Sequence, residues 1–202
     1  MLTHTKAGTW RRSALAVGTV AVALALTACN SSAGSGAGEK KSKAKASAEA
    51  DKPLKIGQPS PEPMEIGRYG KTGKFTITPQ RVVMGKPSDL TELDAQKYQG
   101  MTVAWAYVNA KLVGGDMPMK GPMVSTNVGV LSEGNQRGTQ LILIGDMPGR
   151  PADCRDLDTD ATWQKDEEHT ACMPFIVPEK QKVTAITYSR GYYKAPLKWT
   201  LE

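Results

Sequence analysis

The sequence is short of histidine, cysteine and aromatic residues, and these shortages exclude several kinds of active site. It has two histidines, three cysteines and 6% aromatic residues, and His169 is the only histidine beyond residue 4. A Ser-His-Asp or Cys-His site would have to use His169, and no Gly-x-Ser-x-Gly motif occurs, so we expect no enzyme of these types. A zinc site lacks ligands for the same reason. A carboxylate pair acting on a glycosidic bond remains open, because the separation that matters there is spatial.

The folded part of the chain also lacks an excess of positive charge. The net charge is +6 over 202 residues, but residues 53–202 hold 18 basic and 17 acidic side chains. The excess therefore belongs to the first 52 residues. A nucleic-acid-binding domain normally carries a concentrated basic surface, so we expect no nucleic-acid partner. The length fits one domain with appendages.

No hydrophobic run near the start is long enough for a permanent membrane span. Residues 14–28 are small and apolar, and they follow the basic residues Lys6, Arg11 and Arg12. As a helix this stretch would rise about 22 Å, less than the roughly 30 Å of a bilayer core. Residues 1–28 are therefore predicted to be a signal peptide.

The signal peptide ends in a short motif that predicts lipidation. Leu26-Thr27-Ala28-Cys29 resembles the bacterial lipobox, in which the cysteine thiol receives diacylglycerol and the signal is cut just before it. This resemblance implies a lipoprotein anchored through Cys29 at the extracytoplasmic face of the cell membrane. Two acyl chains give stable anchoring. Arg11-Arg12 also resembles a twin-arginine signal, so both export routes remain open.

Residues 29–52 are predicted to be a flexible tether. After Cys29 the segment consists mainly of Ser, Ala, Gly, Lys and Glu, without Val, Ile, Leu or an aromatic residue. Nothing in it can offset the entropy lost on ordering. As a flexible coil it has a mean reach of roughly 25–30 Å, enough to hold a domain away from a membrane.

The pattern of residues 53–202 is that of β-strands. Large apolar residues alternate with smaller ones around Phe75 and Ile77, along 101–107, and from Leu197 to Leu201. The continuous apolar run Leu141–Ile144 is predicted to be a strand buried on both faces. Further strands are expected within 124–131 and 183–188, and a helical turn or two within 91–98. About seven short strands separated by turns predict an antiparallel β-sandwich.

The cysteine count predicts one disulfide. If Cys29 takes lipid, Cys154 and Cys172 remain as a pair outside the cytoplasm, where disulfides form and persist. A bridge over a loop of this length stabilises the fold by about 3 kcal/mol through restriction of the unfolded chain.

Residues 64–202 resemble a known family of secreted domains. The resemblance lies in Met101–Asn109, an alternating strand ending in Asn, and in Cys172–Pro178 running into Val183–Tyr188. These stretches are similar to the immunoglobulin-like domain of many secreted proteins and lipoproteins of Gram-positive bacteria, especially actinobacteria. In that family a glycine closely follows the Asn, whereas here Ala110 to Val113 precede Gly114. The resemblance implies an immunoglobulin-like sandwich with an extracytoplasmic binding or scaffolding role, and it brings no agreed catalytic residues to this sequence.

The predicted disulfide loop contains carboxylates at calcium-loop spacing. Asp156, Asp158 and Asp160 alternate, and Glu167 follows eleven residues after Asp156. Oxygen ligands at positions 1, 3, 5 and 12 suit Ca²⁺. Ala161 stands where such loops place glycine, however, and a positive-φ alanine costs about 1 kcal/mol. A solvated acidic loop is the competing interpretation.

A methionine group offers a second candidate metal site. Met117, Met119 and Met123 lie close together, and thioethers bind Cu(I). Sulfurs two residues apart point the same way on an extended segment. Methionine also fills gaps in irregular packing, which is the competing interpretation.

Aromatic and basic residues cluster near the end of the sequence. Tyr188, Tyr192, Tyr193 and Trp199 are interleaved with Arg190 and Lys194. Such a surface can bind sugars or peptides. Alternatively, Tyr188 and Trp199 belong to the core, and Tyr192 and Tyr193 lie in a hairpin turn that begins at Gly191.

Together these features predict a membrane-anchored, non-catalytic binding or protein-interaction module of the cell envelope. Its partner is an envelope protein or a small ligand that the sequence does not identify. Two alternatives remain, a lipoprotein that handles Ca²⁺ or Cu(I) and a cell-envelope hydrolase.

Overall fold

The computed structural model describes residues 52–143 and 145–201; for residues 91 and 92 within this range it describes the backbone only. The predicted signal peptide, Cys29 and nearly all of the tether lie outside these residues. All described residues belong to one compact unit. Among them no helix is both long enough and apolar enough to cross a bilayer.

The regular secondary structure of the described residues is almost entirely β-strand, and two five-stranded sheets form a sandwich. The strands of sheet I are β2 (Met64–Arg68), β3 (Lys71–Met84), β4 (Met101–Gly115), β8 (Thr139–Gln140) and β10 (Glu168–Pro178). The strands of sheet II are β1 (Leu54–Lys55), β6 (Val128–Ser132), β7 (Gln136–Arg137), β11 (Val183–Tyr188) and β12 (Leu197–Thr200). Sheet I has the order β2-β3-β4-β10-β8 and sheet II the order β1-β12-β11-β6-β7. Pairing is antiparallel except between β1 and β12, which are parallel.

Short elements lie between the strands of the two sheets. A separate two-stranded ribbon pairs β5 (Met119–Lys120) with β9 (Thr162–Trp163). A 3-10 turn, Pro87–Leu90, leads into the one-turn helix α1 (Thr91–Asp94), which lies within the segment predicted to be helical. Two further 3-10 turns precede and follow β6, at Val124–Asn127 and Glu133–Asn135. The predicted all-β sandwich is confirmed.

The main core lies between the sheets and follows the predicted alternation. Phe75 and Ile77 of β3 are fully buried against Ile186 of β11 and Trp199 of β12. Their neighbours Thr76 and Thr78 are only partly buried. Alternation of this kind places every second side chain of a strand in the core.

Strand β4 is buried on both faces, and its two aromatic residues face away from the other sheet. Ala104 and Ala106 belong to the main core, whereas Val103, Trp105 and Tyr107 form a second apolar cluster with Leu90 and Met147. That second cluster covers the outer face of sheet I. The strand also continues past Asn109 to Gly115, in agreement with the absence of an early glycine after that residue.

The predicted disulfide is present and belongs to the second cluster. Cys154 and Cys172 are joined with a Cα–Cα distance of 5.2 Å, and both are buried. Cys172 lies on β10 opposite Tyr107 of β4. The bridge therefore fastens the loop before β9 to the outer face of sheet I.

The prediction of a buried strand at Leu141–Ile144 is wrong for the residues that are described. Residues 141–143 belong to no strand, and Ile142 is 90% exposed, while Ile144 lies outside the described residues. The edge strand β8 ends at Gln140, and only Leu141 continues the pairing, donating its N–H to Pro174 O. Leu141 and Leu143 then pack on the second cluster, and nothing covers Ile142 among the described residues.

Candidate binding cleft

The acidic residues of the disulfide loop have separate partners. Arg150 pairs with Asp156 at 3.0 Å, and Lys120 pairs with Asp160 at 3.2 Å. The Oδ1 atom of Asp158 accepts the Asp160 N–H within the loop. In the described part of the chain, no three metal-ligating side chains of the His, Cys, Asp and Glu types come together. The calcium-loop spacing thus does not correspond to one ligand shell, because each carboxylate is engaged locally.

Glu167 is likewise held outside any shared shell. It accepts the backbone N–H of Gln164 at 2.7 Å, and its other oxygen lies 2.7 Å from His169 Nε2. These two contacts, the backbone one first, lower the pKa of Glu167. His169 also lies against Trp163, with ring centroids 4.2 Å apart. The contacts connect the end of the loop to β9 and β10.

The three methionines do not present one sulfur face. Met119, in β5 opposite Trp163, is fully buried in the main core. Met117 and Met123 are 39% and 45% exposed. The sulfur atoms of Met117 and Met119 are not aligned as their spacing predicts, because the Met119 side chain fills core space beside Gly73.

A polar cluster of Arg81, Tyr107 and Asp153 holds the start of the disulfide loop on sheet I. The Tyr107 hydroxyl donates a hydrogen bond to Asp153 at 2.7 Å, and Arg81 pairs with the same carboxylate. The Arg81 guanidinium also lies 3.9 Å from the centre of the Tyr107 ring. The hydrogen bond from Tyr107, followed by the charge of Arg81, lowers the pKa of Asp153. Burial is the main reason that the pKa of Tyr107 is raised.

A cleft of about 540 Å³ opens at one end of the sandwich, and we take it as the candidate binding site. The sequence indicates only the part of it that lies in the aromatic and basic segment near the end of the chain. Its walls come from three places: the entry to β2, the turn before β6, and the loop 189–196 between β11 and β12. The lining residues are Glu62, Pro63, Met64, Glu65, Asn127, Tyr188, Ser189, Arg190, Gly191 and Lys194. We call this the Arg190 cleft.

Arg190 is the most deeply placed charge of the cleft. Its side chain is only 8% exposed. Its Nε donates to Ala195 O at 2.7 Å, and its Nη1 lies 3.6 Å from Glu62 Oε1. A charged group taken out of water requires such partners. Arg190 therefore fixes the base of the loop 189–196 and joins it to the entry of β2.

The wall beside Arg190 contains a buried hydroxyl. Tyr188 is 2% exposed, and its hydroxyl makes no hydrogen bond of good geometry within the described residues. Burial raises the pKa of Tyr188, and the nearby Asn127 side chain opposes this shift. The Asn127 carbonyl accepts the Ser189 N–H at 2.8 Å, which ties the loop to the turn before β6.

Two exposed tyrosines lie in the same loop, between the lining residues Gly191 and Lys194. Tyr192 and Tyr193 are 95% and 97% exposed, with ring centroids 5.1 Å apart and nearly perpendicular. Gly191 has a φ of +89°, which glycine adopts without strain. The structure places Tyr188 and Trp199 in the core and the tyrosine pair in the turn that begins at Gly191, as the core interpretation predicts.

A second depression, of about 510 Å³, lies where the end of β3 meets the turn between β10 and β11. Val82, Met84 and Val183 contribute an apolar wall, and Lys180 and Lys182 lie at its rim. The residues that line it include no deeply buried charge. The Arg190 cleft is therefore the better candidate for specific recognition.

Comparisons with known proteins give no family for the chain. No protein-family model and no curated protein matches the sequence. Among solved structures, the chain is similar to "a secreted protein from Mycobacterium tuberculosis", MPT63, with 14% identity and a TM-score of 0.44 over 75% of this chain and 99% of that one. It is also similar to "a putative lipoprotein (ycdA)" from Bacillus subtilis, with 11% identity and a TM-score of 0.41 over 70% of this chain and 38% of that one. At these scores the similarities identify neither a function nor a partner.

Proposed function

We propose that the chain is a lipid-anchored, non-catalytic binding module at the extracytoplasmic face of the cell membrane. The signal peptide and lipobox support the anchor at Cys29, and the tether would let the domain sample the nearby envelope. The Arg190 cleft is the observation that carries the binding role. It combines a fixed, buried guanidinium with accessible polar side chains, and the loop that forms one of its walls carries two exposed aromatic rings.

The anchor is tested on the full-length chain expressed in a Gram-positive host. The N-terminal peptide of the mature protein should begin at Cys29 and carry the mass of a diacylglycerol group, and the protein should partition into detergent. Cys29→Ser should move it to the aqueous phase. Cys154→Ser is the control, because it removes a cysteine that would not be lipidated. A protein that partitions into the detergent phase although its Cys29 is unmodified contradicts the proposed anchor.

The binding role is tested with residues 30–202, which contain every residue that the structure describes. This chain should sediment with an isolated Gram-positive cell envelope, and Arg190→Ala should abolish sedimentation. Arg137→Ala, which alters an exposed arginine on β7, is the matched control and should leave sedimentation unchanged. Equal sedimentation of both variants contradicts the role given to the cleft, and soluble products released from the envelope would favour the hydrolase alternative.

A further inference from the structure

We infer that the Arg190 cleft binds an uncharged carbohydrate, with the Tyr192–Tyr193 pair as its stacking surface. This inference rests on the proposed binding function and specifies its ligand. It combines the balance of charge in the cleft, the kinds of hydrogen-bonding group along its walls, and the exposure of the two rings.

The charges that line the cleft cancel one another. Glu62 and Glu65 contribute two carboxylates, and Arg190 and Lys194 contribute two cations. An anion would meet the carboxylates and a cation would meet the basic groups, so each would experience repulsion as well as attraction. The Arg190 guanidinium is already engaged with Glu62 and Ala195 O. The cleft is therefore best suited to a ligand without net charge.

The accessible polar groups suit hydroxyls. Glu62 and Glu65 offer acceptors, Lys194 offers donors, and Ser189 offers both. A sugar hydroxyl donates to a carboxylate and accepts from an ammonium group, so one kind of ligand group can satisfy every wall. Hydrogen bonds to charged partners are also stronger than neutral ones.

The tyrosine pair supplies the apolar contact that a polar cleft lacks. Tyr192 and Tyr193 are almost completely exposed, so neither ring contributes to the core of the domain. The C–H face of a sugar ring packs on a tyrosine ring, and the phenolic hydroxyl can remain in water. Tyrosine has few rotatable bonds, so little entropy is lost when its ring becomes fixed.

The loop that carries the rings is anchored at its base. Arg190 Nε donates to Ala195 O across the loop, and Ser189 N–H donates to Asn127 O. These bonds hold positions 189, 190 and 195, and the rings project from the tip between them. A fixed base reduces the cost of ordering the loop on binding.

A peptide ligand fits the cleft less well. Peptides usually add a strand to a sheet edge or place side chains in an apolar groove. Of the lining residues only Pro63 and Met64 are apolar and larger than glycine, apart from Tyr188, and Met64 is buried. A peptide ligand is accordingly one outcome that would overturn the inference.

The first experiment is a titration of isotope-labelled chain 30–202 with soluble neutral trisaccharides of glucose, mannose, galactose and N-acetylglucosamine. We expect at least one to shift the amide signals of residues 62–65, 127 and 188–194. Tyr192→Ala and Tyr193→Ala should each weaken binding about tenfold, and both variants should remain folded because these side chains are exposed. Tyr69→Ala, which removes a 71% exposed tyrosine from the β2–β3 turn, should bind as the unaltered chain does.

Other results would overturn the inference. These are no shift with any of the sugars, shifts that both tyrosine variants retain, or tighter binding of a glucuronic acid or glucosamine oligomer of the same length. A second measurement separates this inference from the proposed function. An excess of the trisaccharide that binds best should abolish sedimentation with the envelope, and protease treatment of the envelope should not. If the envelope captures the chain through Arg190 but only protease abolishes capture, the binding function stands and the ligand is a protein. If the envelope does not capture the chain, both the binding function and the carbohydrate inference are wrong.

Discussion

The Tyr107 hydroxyl donates a hydrogen bond at 2.7 Å to Oδ1 of Asp153, the residue that immediately precedes the disulfide cysteine Cys154. This bond is the largest cause that lowers the pKa of Asp153 below 3.8, the value of an ordinary aspartate. A carboxyl whose pKa is lower in the folded state stabilises the fold above its ordinary pKa. That contribution is lost as the pH falls through the folded-state value.

Tyr107→Phe should therefore raise the pKa of Asp153 toward its ordinary value while keeping the ring beneath Arg81. The acid-unfolding curve of the variant should begin at a higher pH. Carboxyl NMR titration below about pH 6 measures the pKa of Asp153, with the other aspartates as internal references, and circular dichroism over the same pH range measures the onset of unfolding. An unchanged titration of Asp153 would show that the hydrogen bond does not control this group.

The disulfide should make a large contribution to stability. We expect the double substitution Cys154→Ser and Cys172→Ser to lower the free energy of unfolding by about 3 kcal/mol, because the open loop gains entropy in the unfolded state. Urea unfolding measures the change. A reducing agent should destabilise the unaltered chain by a similar amount and leave the double variant unaffected; destabilisation of both would point to a different cause.

Ile142 should tolerate a polar residue. Because its side chain is 90% exposed, Ile142→Ser should change the free energy of unfolding by no more than about 0.5 kcal/mol. Ile186→Ala is the matched comparison in the main core, where we expect a loss of about 2–5 kcal/mol. Thermal unfolding distinguishes the two. A large loss at Ile142 would restore the prediction of a buried strand there.

Calcium should have little effect on the acidic loop. We expect millimolar Ca²⁺ to leave the melting temperature unchanged, because Asp156 and Asp160 are paired with Arg150 and Lys120. Melting curves with Ca²⁺ and with a chelator measure this. A saturable rise in melting temperature that Asp158→Asn removes would support the calcium interpretation instead.

The methionines should differ sharply in their effect on stability. Met119→Ala should cost about 2–5 kcal/mol because the side chain is fully buried. Met117→Ala should cost no more than about 0.5 kcal/mol, since that residue is partly exposed. Native mass spectrometry with Cu(I) tests the copper alternative. A stoichiometric adduct that is lost in a Met117→Ala and Met123→Ala double variant would favour it.

Sequence patterning predicted five of the twelve strands in the described residues, β3, β4, β6, β11 and β12, but not which of their faces would be covered. The alternation along 101–107 correctly indicated β4. It could not show that Trp105 and Tyr107 face away from the other sheet, because the residues covering them, such as Leu90 and Met147, come from distant segments. At Leu141–Ile144 composition alone could not separate a buried strand from an extended segment packed on one side only.

The cleft illustrates the same limit. The tyrosine-rich segment was visible in the sequence, and the turn beginning at Gly191 followed from local turn chemistry. The role of Glu62 was not visible, because it meets Arg190 only when the entry to β2 lies beside the β11–β12 loop. A pairing between residues so far apart depends on the tertiary structure, and no short motif marks it.

Strand β4 also determines where the domain should exchange its amide hydrogens most slowly. It is hydrogen-bonded to β3 on one side and β10 on the other, and an apolar cluster covers each of its faces. Water can reach its backbone only when the sandwich and the disulfide-bonded outer layer have both opened. Deuterium uptake at the centre of β4 should therefore follow global unfolding rather than local fluctuation.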